Sequence, residues 1–242
     1  MPNPGCTMVK NVSLRDAWSG EADCLKCTLR DSVLFAGLTE QDFARIHEPI
    51  DQFSLKAGAC LYHAGDQGEY LFTVRSGSLK LIQYLPDGNQ RIVRLAEATD
   101  LLGLETLLET PYQHEAIALQ PTEVCRFPAR IVKSLVAENP RLHTELMARW
   151  QRALAEADTW LTEFSTGSAR QRVARLLLRL VRARDKGECE LFSREDMGAM
   201  LGITTETTSR TIAEFKRRGL LVDLSANHFR LDIAKLREIA EG

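Results

Sequence analysis

The stretch SREDMGAMLGITTETTSRTIAEFKRRGL, Ser193–Leu220, decides how this chain is read. Ser193 followed by Asp196 is a capping-box-like start: the hydroxyl accepts from first-turn backbone, and the acid lies where the helix dipole favours an anion. Met197, Met200 and Leu201 supply an inner face, Gly202 takes the left-handed turn, and Ile203 plugs the core. Thr204 or Thr205 then caps a second helix that reaches Arg218 and stops at Gly219. Two helices across a short glycine turn predict a helix-turn-helix.

On the second helix Thr208, Ile212 and Phe215 point inward, while Glu206, Ser209, Arg210, Ala213 and Arg217 share the other face. In a major groove Arg210 can donate two hydrogen bonds to guanine O6 and N7, Glu206 can accept from cytosine N4, and Ser209 can meet a base edge or a phosphate. Thr205 opens that helix and is counted with the DNA contacts. Lys216, Arg217 and Arg218 lie nearer the groove rim, where phosphate contacts carry the salt-dependent part of binding. A helical hairpin with a solvated charged face would share this periodicity.

Downstream, Leu220–Val222 and His228–Leu231 flank Ser225-Ala226-Asn227 and predict a β-wing. Upstream, a helix is expected over Ala169–Arg184, with Val173, Leu176, Leu177 and Leu180 inward and a turn at Lys186-Gly187. Thr166-Gly167-Ser168 before it reads as a hinge. The charge distribution agrees: residues 167–242 hold 15 Lys/Arg against 11 Asp/Glu, and residues 1–166 hold 16 against 22, within a net charge of −2. A basic tail on an acidic front suits a polyanion reader joined to a module that should stay off DNA.

From Phe53 to about Phe127 the pattern changes to short β-rich runs such as Leu71–Val74, Leu79–Ile82 and Ile92–Leu95. They are punctuated by Gly58, Gly65-Asp66, Ser76-Gly77 and Asp87-Gly88, the residues of tight turns. Many short strands predict an antiparallel barrel or jelly roll whose interior suits a small ligand. Before it, a helix is expected over Thr39–Pro49, and residues 1–30 read as a loosely ordered arm ending in Cys24-Leu25-Lys26-Cys27.

After the barrel, Ala129–Ala137 is helical, Asn139-Pro140 interrupts, and a long helical pattern runs from Arg141 to Phe164. Met147, Trp150, Leu154, Ala157, Leu161 and Phe164 recur at alternating spacings of three and four, the seam of two packed helices. Core packing against the barrel would give a similar stripe. The length of the helix and its charged opposite face favour a homodimer, and the alanine in mid-seam predicts one that persists without a signal.

The recognition stretch Thr205-Glu206-Thr207-Thr208-Ser209-Arg210, the preceding Gly202 and the exit Phe215–Leu220 are similar to the winged helix-turn-helix of Crp/Fnr regulators, and Glu-x-x-Ser-Arg most resembles the Fnr branch. The resemblance extends over nearly the whole chain. It implies an α+β protein: a cyclic-nucleotide-binding-like antiparallel β jelly-roll sensor domain, a long dimerisation helix and a C-terminal winged helix-turn-helix. The divisions expected are an arm at 1–38, the sensor at 39–137, the helix and hinge at 138–166 and the DNA-binding domain at 167–242. It also implies a cytoplasmic transcription regulator that reads a TTGAT-like inverted repeat in double-stranded DNA as a homodimer, with RNA polymerase as a further partner.

The family's cyclic-AMP binders use a Gly-Glu pair and an Arg-Ser pair. Here the matching stretches are Gly103-Leu104-Glu105 and Gln113-His114-Glu115, and a carboxylate beside a cyclic phosphate is repulsive where arginine would be bidentate. Cyclic AMP is therefore not the expected effector.

The Fnr branch's other input is an iron–sulfur cluster held by four soft ligands. Cys24, Cys27 and the distant Cys125 resemble three of them, Val33 stands where a further one should be, and Cys6 from the arm or Cys60 from the barrel are substitutes. Cys125 also reads as a small core residue, and Cys24 with Cys27 as a thiol–disulfide pair. An unidentified ligand or haem remains open, although His47, His63, His114, His143 and His228 are scattered.

No apolar run is long enough to span a membrane. Two other functions fit the composition: a cupin-like metal enzyme, for which no His-x-His ligand pair appears, and a ligand-binding or interaction module without DNA reading, against which Glu206, Ser209 and Arg210 argue.

Overall fold

The computed structural model describes residues 6–13, 49–181 and 187–242. The chain divides into two compact units, one built from residues up to Gln83 with Arg94–Leu154, the other from Tyr84–Val93 with Ala155–Gly242.

The strands of the β-rich part are β1 (Cys6–Ser13), β2 (Pro49–Leu55), β3 (Cys60–Tyr62), β4 (Tyr70–Ser76), β5 (Ser78–Tyr84), β6 (Gln90–Glu97), β7 (Leu101–Leu102), β8 (Glu115–Ala118) and β9 (Thr122–Pro128), of which Tyr84 of β5 and Gln90–Val93 of β6 fall in the second unit. They form a five-stranded sheet in the order β1-β2-β9-β4-β7 and a four-stranded sheet in the order β3-β8-β5-β6, the long-range antiparallel pairing of a jelly roll. Gly77 makes the β4–β5 turn at φ 83°, and a Cβ there would run into the Thr122 side chain and the Pro121 carbonyl. Thr122 fastens the same turn, its Oγ1 accepting from the Ser78 amide at 3.1 Å.

The interior expected to suit a small ligand holds an aromatic cluster. Tyr62, Phe72 and Tyr112 are buried, with Tyr62 and Tyr112 stacked at a centroid distance of 4.0 Å. The loosely ordered arm is corrected at its start, because Cys6–Ser13 pairs antiparallel with β2. That strand depends on a partner 36 (Ser13↔Pro49) to 49 (Cys6↔Leu55) residues downstream, which its own pattern does not signal. Residues 39–48 of the expected Thr39–Pro49 helix lie outside the described residues, and Pro49 itself opens β2.

Helix α1 (Ala129–Glu138) ends at Asn139, whose side chain accepts from the amides of Arg141 and Leu142 at 3.0 and 3.3 Å. Asn139 thus caps α2 (Pro140–Thr159), and Pro140 occupies a first-turn position where its missing N–H is harmless. Leu142 and Leu146 of α2 join Leu71, Leu101, Cys125, Phe127 and Val132 in one apolar core. Arg149 is buried beside them and donates to the Thr99 carbonyl at 3.2 Å.

The predicted six-residue seam divides. Met147, Leu154 and Leu161 are 44%, 63% and 65% exposed, and Ala157 is exposed with them. Trp150 instead packs partly against the core of its own unit, and Phe164 is fully buried, edge-on to Trp160 at 5.1 Å. This corrects the assignment of Phe164 to a face open to a partner: a π-helical turn over Trp160–Phe164 rotates it out of register, onto α3 (Ala169–Leu180).

The expected hinge is tied down as well. Ser168 and Gln171 form a capping box, Arg175 donates to the carbonyls of Glu163 and Thr166 at 2.9 and 3.0 Å, and Gly167 turns the chain at φ 84°. Beyond α3, which ends four residues before its expected limit, come β10 (Glu188–Glu190), α4 (Arg194–Leu201), α5 (Thr205–Arg217), β11 (Leu221–Ser225), β12 (His228–Leu231) and α6 (Ile233–Glu241). The three strands form one sheet in the order β10-β12-β11, and α6 buries Leu236 and Ala240 and packs on α3. Among the described residues, no helix is long and apolar enough to cross a membrane.

Candidate nucleic-acid interface

The two-helix unit is held by caps at each junction. Ser193 accepts from the Asp196 amide at 3.0 Å, Gly202 closes α4 at φ 62°, and Thr204 rather than Thr205 caps α5, accepting from the Thr207 amide at 3.1 Å. Gly198 has no room for a side chain, since a Cβ would lie 2.7 Å from the Ile203 carbonyl. The tight turn therefore fixes how α5 leaves α4.

Helix α5 buries Thr208, Thr211, Ile212 and Phe215. Two of these carry hydroxyls, and both are satisfied within the helix: Thr208 donates to the Thr204 carbonyl at 3.1 Å and Thr211 to that of Thr207 at 2.8 Å. Buried hydroxyls satisfied this way avoid the penalty of an unpaired polar group. The inward role of Thr211 is a residue the sequence reading missed, though it lies four before Phe215.

Thr205, Glu206, Ser209, Arg210, Ala213 and Arg217 are all exposed, so the predicted reading face is presented as one surface. Glu206 and Arg210 pair one helical turn apart, with side chains 71% and 78% exposed. Exposed pairs of this kind contribute about 0–1 kcal/mol, so either side chain exchanges readily for a base edge. Lys216 departs from the open rim position: its ammonium sits 2.8 Å from Asp223 and 4.4 Å from the centre of the Phe229 ring, which ties α5 to the wing. The wing itself is β11 and β12, turning at Asn227 with φ 62°.

In the β-rich unit, Leu104 is buried and the Glu105 carboxylate accepts from the Gln113 amide at 3.2 Å. His114 is held below its ordinary 6.5, first by burial and then by the nearby Arg94 charge, against the opposing pull of Glu105. Glu115 lies 3.2 Å from His63 Nδ1.

The cysteines expected as cluster ligands fall only partly within the described residues. Cys24 and Cys27 lie outside the described residues. Cys125 is buried in the apolar core. Cys6 aligns with Leu55, and Leu55 with Thr122, which puts Cys6 two strands and three residues away from Cys125, about 14 Å by strand geometry. What the fold does assemble is Cys60, His63 and Glu115, a set missed in the sequence, where Cys60-x-x-His63 was the available sign. Burial, reinforced by Glu115, pushes the Cys60 thiol up to about 12.

A capped recognition helix with a polar outer face and an adjoining wing, in a chain that also carries a β jelly roll, defines a two-domain DNA-binding regulator. Residues 52–139 match the cyclic nucleotide-binding domain family and residues 171–239 the Crp-like helix-turn-helix domain family. The chain is 30% identical over 229 residues to the transcriptional activator protein anr of Pseudomonas aeruginosa, covering 92% of this chain and 94% of that one. It is 26% identical to the fumarate and nitrate reduction regulatory protein of Vibrio cholerae, covering 90% of each. The FixK2 structure from Bradyrhizobium japonicum superposes with a TM-score of 0.69 at 26% identity, covering 78% of this chain and 96% of that one.

The chain belongs to the Crp/Fnr family of transcriptional regulators. It is a DNA-binding regulator and not a cupin-like enzyme, and a module without DNA reading is set aside with it.

Proposed function

We propose that the chain acts in the cytoplasm as a homodimer that reads an inverted repeat of TTGAT-like half-sites, and that a redox, gas or small-molecule signal at the β-rich unit controls it. The observation that carries the reading is the single exposed surface of Glu206, Ser209 and Arg210 on a helix whose other face is fully packed. Arg210 reads guanine, Glu206 reads cytosine, Ser209 meets a base edge or phosphate, and Thr205 and Arg217 contact the backbone. Lys216 serves chiefly to hold the wing. RNA polymerase is the further partner.

The dimer reading rests on Met147, Leu154 and Leu161, exposed at intervals of seven along α2 and the turn after it. Two helices meeting along such a stripe bury what a lone chain leaves in water. The effector is not cyclic AMP: Leu104 occupies the position of the ribose-binding acid, and Glu115 that of a phosphate-binding residue. Cys24 and Cys27 are the thiols through which a redox signal would enter.

Fluorescence anisotropy against an inverted-repeat duplex tests the DNA reading. Arg210→Ala should weaken specific binding by about 10- to 100-fold, the worth of one bidentate base contact, and leave the affinity for bulk DNA nearly unchanged. Equal binding of wild-type protein to operator and competitor would sink it. Light scattering on the same protein checks the dimer, which should persist without any effector.

A further inference from the structure

We propose that Cys60, His63 and Glu115 form a binding site for a divalent transition-metal ion of the zinc class, on one face of the four-stranded sheet. Strands β3 and β8 are antiparallel, with Cys60 opposite Ile117 and Tyr62 opposite Ala116. Along β8, Ala116 and Ala118 are buried while Glu115 and Ile117 are less so. Cys60, across from Ile117, therefore shares the face that carries Glu115. The register shifts between Cys60 and Tyr62, a bulge of the kind that re-aims a side chain.

His63 is supplied by the next turn, which is fixed by its own hydrogen bonds. The Asp66 amide donates to the His63 carbonyl at 3.3 Å, the Asp66 carboxylate accepts from the His63 amide at 3.0 Å, and Gly65 turns at φ 87°. The Gly65 amide donates to the Tyr112 carbonyl at 2.7 Å, and the Tyr112 amide returns a bond to the Asp66 carbonyl at 3.1 Å. That pair of bonds anchors the turn three residues before Glu115.

The three donor atoms converge on one point. His63 Nδ1 is 3.6 Å from Cys60 Sγ and 3.2 Å from Glu115 Oε1, and all three atoms lie within 4.8 Å of one another. A tetrahedral zinc ion with bonds of about 2.0–2.3 Å sets its ligand atoms roughly 3.3–3.8 Å apart, so little movement is needed. One thiolate, one imidazole and one carboxylate suit zinc, whereas magnesium and calcium take oxygen ligands. Three protein ligands leave a fourth position, and the His63 side chain, 55% exposed, gives it access to solvent. A simple surface ion pair between His63 and Glu115 contributes about 0–1 kcal/mol and does not call for a thiol at the same nitrogen. The site makes no use of α5, so it stands or falls apart from the DNA reading.

The test uses the full chain with Cys24→Ser and Cys27→Ser, which removes the other pair of thiols at metal-binding spacing. After chelator treatment, Co(II) is titrated under reducing conditions, followed by its thiolate charge-transfer and tetrahedral ligand-field absorption, and Zn(II) is then added as competitor. The expected result is one equivalent of Co(II) bound with thiolate absorption, displaced by Zn(II). Cys60→Ser should remove the charge-transfer band, and His63→Ala and Glu115→Gln should each weaken binding at least about tenfold. Circular dichroism melts of these variants confirm that they fold. Absence of the band in the parent, its persistence in Cys60→Ser, or unweakened binding in either of the other two variants overturns the proposal.

Discussion

The helix-turn-helix and the β-rich unit satisfy their cap and hydroxyl hydrogen bonds at different distances along the chain. In the C-terminal unit the hydroxyls of Thr208 and Thr211 bond to carbonyls four residues earlier, and the caps of α4 and α5 act over three residues. In the β-rich unit Thr122 bonds to Ser78, Tyr112 to Tyr70 and Arg126 to Asp51, partners 44, 42 and 75 residues apart. A reader built from short-range bonds can present a whole polar face to a ligand, because nothing on that face is needed to hold the helix. The β-rich unit has no such separation, because the groups that hold it together come from distant strands.

Phe215→Ala should show the largest effect. It empties the centre of the C-terminal core, and chemical denaturation followed by circular dichroism should show a loss of about 3–5 kcal/mol of stability in that unit. The corresponding change in the β-rich unit is Thr122→Val, which keeps the shape and strands the Ser78 amide. Denaturation should show a loss of about 1–3 kcal/mol, and an unchanged midpoint would contradict the long-range picture.

Thr204→Ala removes a cap whose bonds are local and should reduce stability by about 1 kcal/mol while leaving the β-rich unit untouched. The smallest change concerns pH. Because folding lowers the His114 pKa, the unfolded chain binds more protons, so stability is full above about 6.5 and declines as pH falls below it. Melts between pH 7 and pH 5 should show a shallower decline for His114→Gln than for the parent.

Legibility from sequence follows the same division. Ser193, Gly202 and the threonine cap predicted both helices of the reader, and the glycine turns predicted a jelly roll, since each signal acts within a few residues. The stripe from Met147 to Phe164 was half legible: its periodicity is plain, but the π-helical turn that sends Phe164 into its own chain is decided by packing on α3. Strand β1 was invisible because its partner β2 is remote, and α6 escaped because Ile233, Leu236 and Ala240 cover little more than two turns.

By itself the sequence determined the recognition helix, its outward Glu206, Ser209 and Arg210, and the class of fold that carries it, because periodicity and capping are properties of neighbouring residues. Only the tertiary structure decided which side of the long helix stays open, that Lys216 serves the wing, and that Cys60, His63 and Glu115 share one point. Those outcomes depend on strand register and helix packing, and residues far apart in sequence carry no local trace of either.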